Sequence, residues 1–344
     1  MMGVSIVNRS GLNVFGRDQM AVDIPKEKWS GKIGELAIGA TAAEGGTRSK
    51  KVIVGGSTTL PYLYFEGEHP NPPAIAMEVL DVVPEDYPQQ VKNALGDAIN
   101  SPVTWAKKCV EEYGSDLICL KLVGTNPEEQ NRSPEEAGKT VREVLDAVPV
   151  PLIIYGSGND EKDAKVMEVV SNVAKGERCL LGLAEEAAFK SLAVAAMANG
   201  HGIVAFSNLD INLAKQMNIL LTDFGVKLGD VIMDPLVAGL GYGLEYSYSV
   251  MERIRLAALM GDKMLQVPMI CDVSIAWKAR EAFIDNPDWG DPVKRGPTWE
   301  AMTAMGALIA GGDLLVIRHP ETLKIVRHTI ADLEKGKAIG GGGA

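Results

Sequence analysis

Lys121 is the sharpest chemical feature of the chain. It lies in the apolar run LICLKLVG, where alternate strand positions place it on one face with Cys119 and Val123. An amine among apolar side chains has two uses. With a depressed pKa it can form a Schiff base, as aldolases do. More commonly it is a buried cation paired to a carboxylate, and Asp234 is the candidate partner. Asp234 and Asp272 close two other short apolar runs, VIMD and MICD. Two such carboxyls suit acid–base work, and equally well suit helix caps or ion-pair partners. The four histidines (His69, His201, His319, His328) form no HxH or HExxH pairing, so a barrel metallohydrolase is not expected. The four cysteines (Cys109, Cys119, Cys179, Cys271) are scattered and form no CxxC pair. That pattern implies a reducing compartment and buried thiols. It does not suit an iron–sulfur cluster held by this chain alone. No metal ligands or catalytic residues are assigned. Gly239-Leu240-Gly241-Tyr242-Gly243 lets backbone approach a ligand closely, but without a Lys or Arg inside the run it is not a phosphate loop.

These groups need a frame, and the chain supplies a regular one. Short apolar strands are expected at 51–55, 117–122, 151–155, 180–183, 203–206, 231–233, 269–272 and 314–317, each followed by a helical segment. Ser133-Pro134-Glu135-Glu136 has capping-box spacing with Pro at the first helical position. Eight even repeats predict an α/β chain folded as a (β/α)8 TIM barrel over 51–335. Residues 1–50 are read as an N-terminal extension, with a hairpin closing the bottom of the barrel, and 336–344 as a flexible tail. Between Ser57 and about Asn100 the Pro- and Tyr-rich stretch is read as a long ordered insertion after strand 1.

In such barrels functional groups gather at the C-terminal ends of the strands. The residues expected there include Ser57, Thr58, Thr59, Gly156, Ser157, Asn208, Asp234, Gly241, Tyr242 and Gly243. They are mainly hydroxyls, amides and glycines, and they lack the usual tools of hydrolysis.

The totals bound the partners. The 344 residues carry a formal charge of −11 with no basic block, which argues against nucleic acid. No apolar stretch is long enough to span a membrane and no signal-peptide pattern opens the chain, so a soluble cytoplasmic protein is expected.

Two long strings, VIVGGSTTLPYLYFEGEHPNPPAIAMEVLD and VIMDPLVAGLGYGLEYSYSVMERIRLAAL, together with GATAAEGGTRS, carry a resemblance. The chain resembles the small-subunit family of the corrinoid/iron–sulfur protein of the anaerobic acetyl-CoA (Wood–Ljungdahl) pathway, which includes the archaeal delta subunit of acetyl-CoA decarbonylase/synthase. The resemblance implies a (β/α)8 barrel paired with a large subunit that carries the iron–sulfur cluster and a cobamide-binding domain. It implies a cobamide between the two, over the C-terminal face of this barrel. It also implies that the cobalt takes a methyl group from methyltetrahydrofolate through a separate methyltransferase and passes it to acetyl-CoA synthase. The ten rim positions above would be cobamide contacts. The alternative is a methyltetrahydrofolate-binding methyltransferase barrel, whose Asp-Pro-Leu run looks like Asp234-Pro235-Leu236; Asn208 and Asp234 would then hold the pterin. A Schiff-base aldolase using Lys121 stands third. The 57–100 stretch and the Trp289–Pro292 loop are the expected partner-facing surfaces.

Overall fold

The computed structural model describes residues 25–336, so the first 24 residues and most of the expected tail lie outside the described residues. Eight parallel strands form the centre: β3 (Ala74–Leu80), β4 (Leu117–Lys121), β5 (Leu152–Tyr155), β6 (Leu180–Ala184), β7 (Gly202–Phe206), β8 (Val231–Asp234), β9 (Ile270–Asp272) and β10 (Leu314–Ile317). Their order is β8-β7-β6-β5-β4-β3-β10-β9, and a parallel bridge from Met233 to Met269 joins the two ends. The expected barrel is therefore present, with every strand short and, apart from Leu183 of β6, free of exposed residues, as suits parallel strands.

Its first strand is not the one expected. Val52–Gly55 is β2, and it pairs antiparallel with β1 (Glu35–Ile38), Leu36 opposite Val54. The burial pattern explains why. Ile53 is 41% exposed while Val54 is fully buried, the one-sided alternation of an antiparallel ribbon. All seven residues of β3 are buried. So the segment read as an insertion is in fact a connector over 57–73 followed by the true first barrel strand. Two prolines ahead of AIAMEVL masked that strand in the sequence.

The β1–β2 ribbon plugs the barrel from below. Leu36, Ile38 and Val54 share one buried cluster with the inward residues Ala74, Ala76, Leu117, Ile153, Leu180, Val204, Ile232, Ile270 and Leu314. Arg48 anchors the ribbon's loop by donating to Glu177 Oε2 at 2.8 Å and to the carbonyls of Val148 and Leu145. The alternate strand residues, such as Ile75, Met77 and Val79, face outward into a second core.

That outer core is closed by helices: α1 (Gln89–Leu95), α2 (Pro102–Glu111), α3 (Pro134–Ala147), α4 (Asp160–Val173), α5 (Phe189–Asn199), α6 (Ile211–Asp223), α7 (Leu244–Leu259), the short α8 (Arg280–Phe283), α9 (Pro292–Ile309) and α10 (Pro320–Glu334). Helix α3 has the capping box read from sequence, with Ser133 and Glu136 capping each other's backbone N–H. Asp210 caps α6, accepting from the backbone N–H groups of Asn212 and Leu213. Among the described residues no helix is long and apolar enough to cross a membrane.

Because the plug is core, Leu36→Ala is expected to cost about 2–5 kcal/mol. Ile53→Ala on the same ribbon should cost a small fraction of that. Urea midpoints of the two variants against the parent chain check this placement.

Candidate functional site

At the C-terminal mouth, the inward positions of neighbouring strands are charged. Glu78 of β3 is 1% exposed, and an unpaired carboxylate at such depth would be prohibitively costly. Lys121 of β4 donates to Glu78 Oε2 at 2.5 Å and to Asp272 Oδ2 at 2.6 Å. Arg318, just past β10, donates through Nε to Glu78 Oε1 at 2.7 Å. Its guanidinium lies 4.1 Å from the centroid of the Tyr87 ring, and the Tyr87 hydroxyl donates to Glu78. The Ser274 hydroxyl is 2.6 Å from Asp272 Oδ1 and 2.9 Å from Glu78 Oε2, completing the cluster. Burial alone would raise the pKa of Glu78, but Arg318 and Lys121 outweigh it and hold the carboxyl well below its ordinary range. For Lys121 burial works against the ammonium, yet Asp272 and Glu78 prevail and raise its pKa. The ammonium is thus held charged, the opposite of the neutral amine that Schiff-base chemistry needs. Its carboxylate partners are Glu78 and Asp272, which corrects the expected pairing with Asp234.

Glu300 of α9 fixes the end of β10. It accepts hydrogen bonds from the backbone N–H groups of Arg318 and His319 at 2.7 and 3.1 Å and from Trp277 Nε1 at 2.9 Å. Arg318 therefore reaches Glu78 from a held backbone.

Beside the cluster opens a cavity of about 450 Å³ bounded by the ends of β5, β6, β8 and β9. Lys121, Asp272 and Asp234 reach it from within the barrel, and Phe206, Leu236 and Val237 supply apolar wall. Asp234 is 4% exposed, and its Oδ1 accepts the Leu236 N–H at 2.9 Å. Burial, chiefly, pushes its pKa up to about 7. Tyr155 lies across the barrel interior, and its buried hydroxyl has no hydrogen-bond partner among the described residues. Position 182 has to be glycine for this, since a Cβ there would meet the Tyr155 ring at 2.8 Å. Asp234 and Asp272 thus end neighbouring strands as the sequence suggested, but Asp272 is bound into the ion cluster and does not share a hydrogen bond with Asp234.

The remaining sequence-predicted positions divide into two groups. Gly156 and Ser157 line the cavity, where Asp163 accepts from the backbone N–H of Ser157 at 2.9 Å and from its hydroxyl at 2.8 Å. Asn208 is exposed beyond β7. Gly241, Tyr242 and Gly243 form the turn into α7, with left-handed backbone at both glycines, and the Tyr242 hydroxyl donates to Glu281 at 2.6 Å. Ser57, Thr58 and Thr59 do not reach the mouth, which corrects their placement there. They lie in the connector below the barrel, because β2 is not a barrel strand. Ser57 Oγ is 2.9 Å from His69 Nδ1, and Thr59 donates to Glu66. Sequence reasoning missed Glu78, Tyr87 and Glu300. Only Glu78 left a signal, as a lone carboxylate inside the apolar run AIAMEVL.

The four cysteines are buried and free, with burial pushing each thiol pKa upward. Among the described residues no group of three or more His, Cys, Asp or Glu could hold a metal ion.

The chain is similar to known proteins both in sequence and in fold. The family model described as CO dehydrogenase/acetyl-CoA synthase delta subunit matches residues 35–328. The acetyl-CoA decarbonylase/synthase complex subunit delta of Methanopyrus kandleri is 40% identical over 311 residues, covering 90% of this chain and 77% of the relative. Subunit delta 1 of the same complex from Methanosarcina thermophila is 41% identical over 308 residues, covering 87% and 70%. Among solved structures, dihydropteroate synthases align over the barrel: that of Xanthomonas albilineans has a TM-score of 0.54 at 12% identity over 78% of this chain and 94% of its own. The Thermus thermophilus enzyme gives 0.51 at 15% identity, over 80% and 99%. At these identities the structural likeness speaks for the barrel fold alone.

Two measurements follow from the mouth. Glu78→Gln leaves Lys121 and Arg318 sharing fewer buried negative charges and should cost about 3–5 kcal/mol, read from denaturant unfolding at neutral pH. Asp234 has the opposite sign. Its folded pKa near 7 lies above the unfolded value of about 3.9, so the folded state binds the extra proton and loses stability as pH rises between those values. Asp234→Asn should therefore match the parent chain near pH 4 and become progressively more stable than it up to about pH 7, with the gain constant above. A pH-independent difference in unfolding midpoint would refute the assignment.

Proposed function

This chain belongs to the CO dehydrogenase/acetyl-CoA synthase delta subunit family, and from that premise we propose that it is the small subunit of a two-subunit corrinoid methyl carrier. The observation that carries the proposal is the family match over residues 35–328, which takes in the whole barrel and its lower plug. In this reading the barrel mouth helps to bind and shield a cobamide held jointly with a large subunit, and any iron–sulfur cluster belongs to that subunit. The chemistry the cobamide supplies when bound is methyl transfer at its cobalt, which takes the methyl group of methyltetrahydrofolate through a methyltransferase and delivers it to acetyl-CoA synthase.

The role of this chain's own residues is then position and exclusion of water. Gly156, Ser157, Asn208, Asp234, Gly241, Tyr242 and Gly243 are the proposed contacts, on loops that a rigid barrel holds in place. The chemistry of the mouth supports the fit. It presents a desolvated carboxyl at Asp234, whose pKa burial raises, and close backbone approach at the glycines, both suited to a neutral, amide-rich ligand. The mouth's strongest charges are consumed in the Glu78 cluster, so no activated nucleophile stands ready there. A subunit that positions a cofactor needs none.

The test is anaerobic co-expression with the large subunit of the same complex, followed by size exclusion and a visible spectrum after adding cobamide. A stable pair that keeps the corrin chromophore, with none kept by this chain alone, is the expected result. If the lone chain stays unpaired yet binds methyltetrahydrofolate, the methyltransferase reading replaces this one.

A further inference from the structure

On the outside of the barrel, α7 and α9 leave an apolar groove between them that no described element covers. Its floor is tight: a Cβ on Gly306 of α9 would meet Leu244 of α7 at 3.1 Å. Above this crossing Leu240, Trp289, Trp299 and Met302 surround a hollow of about 360 Å³. Below it Leu60, Leu63, Tyr248 and Ile309 surround another of about 170 Å³. Met302 and Ile309 share one face of α9 and are 51% and 54% exposed. A single exposed apolar side chain needs no explanation, whereas a contiguous row marks a surface that something covers. The chain itself leads to the lower end. Glu66 closes a turn there, its N–H donating to the Leu63 carbonyl at 2.9 Å. Its carboxylate accepts from the Glu27 N–H at 3.3 Å and from Trp29 Nε1 at 3.4 Å, and the Ser30 hydroxyl donates to the carbonyl of Met260, just past α7. Pro25, the first described residue, is two residues from that contact.

We propose that residues 1–24 of the same molecule occupy this groove as an extended apolar strap laid between α7 and α9. The inference stands independently of the cobamide reading. Reach is ample. Trp299 and Ile309 are ten helical residues apart, about 15 Å, and 24 extended residues span up to about 80 Å. The sequence pattern agrees. Leu12 and Val14, then Met20, Val22 and Ile24, fall at alternate positions, as in an extended segment with one apolar face. Arg9 and Arg17 balance Asp18 and Asp23, so the side-chain charges of this stretch cancel in a chain of net −11. Tethering decides the occupant. A segment joined to the barrel beside the groove meets it at an effective concentration on the order of millimolar, well above that of a second copy in dilute solution. The face so covered, the Trp289 side of the upper hollow included, is withdrawn from contact with other chains.

The experiment uses two native methionines of the full chain as reporters. Peroxide converts exposed methionine to the sulfoxide, and mass spectrometry reads the rate at each site. Met302 lies in the groove, while Met197 on α5, 42% exposed, lies away from it and serves as the internal standard. In the full chain Met302 should oxidise about ten-fold more slowly than Met197, at every protein concentration tried. Removing residues 1–24 should bring the two rates within about two-fold of each other. The full-length double substitution Val14→Asp with Val22→Asp should do the same, and it leaves the barrel untouched if the shortened chain does not fold. Equal rates at Met302 and Met197 in the full chain would overturn the proposal, as would protection of Met302 that survives in both variants. Protection that fades on dilution assigns the groove to a second copy, and protection that appears only after adding the large subunit assigns it to that partner; either result also overturns it.

Discussion

A single buried carboxylate governs the mouth of this barrel. Glu78 sits in the C-terminal half of a strand whose seven residues are all buried, and it is acceptable there only because cations arrive from both neighbouring strands. In register, Glu78 lies opposite Cys119 of β4, two residues before Lys121. On the other side Met77 lies opposite Ile317, one residue before Arg318. A one-residue slip of β3 would turn Glu78 outward into the apolar shell and strand two cations inside. Ion pairs of this depth are a weak source of net stability, since desolvation offsets most of the attraction. Their use as a register pin is better founded. Here the cluster ties β3, β4, β9 and β10 to one alignment.

That pin also decides what the mouth can offer a ligand. The two cations at the centre of this mouth face Glu78 and Asp272 rather than outward. What is left beside them is a buried carboxyl, a buried phenol and backbone made accessible by glycine. The Gly156 position shows how closely the parts fit. A Cβ there would approach the Asp163 carboxylate to 2.3 Å, so the absent side chain lets Asp163 gather the Ser157 and Gly158 N–H groups and leaves the loop rigid. An electronegative mouth of this kind suits a neutral or amide-rich ligand.

Much of this was legible in the sequence, and the exceptions have physical causes. From β4 onward, strand positions read from short apolar runs agree with the structure to within one or two residues, because each run is closed by glycine, a cap or a proline that punctuates the backbone. The beginning was harder. VIVGG satisfies the same pattern as a barrel strand, and only one-sided burial distinguishes it; AIAMEVL hides behind prolines and carries a charge that the pattern penalises. Misplacing that strand put Ser57, Thr58 and Thr59 at the wrong end of the barrel and left Glu78 unseen. Tyr155 closes an apolar run whose pattern marks a strand, but its orphaned hydroxyl depends on which atoms surround it. No local signal encodes that.

The ends of β5 and β8 show where consistency between sequence and structure gives way, and such places are where function is expected to concentrate. In the plug and the lower barrel the inward side chains are apolar, and the guanidinium that anchors them, Arg48, is engaged by Glu177, Val148 and Leu145. At the mouth the rule lapses at Tyr155 and Asp234, one hydroxyl unpaired and one carboxyl desolvated. A buried polar group left unsatisfied costs about 1–3 kcal/mol, a cost that phenylalanine at position 155 would avoid. The apolar plug and lower barrel hold the fold, and the inward titratable side chains gather at the opposite face, where barrels carry their functional groups.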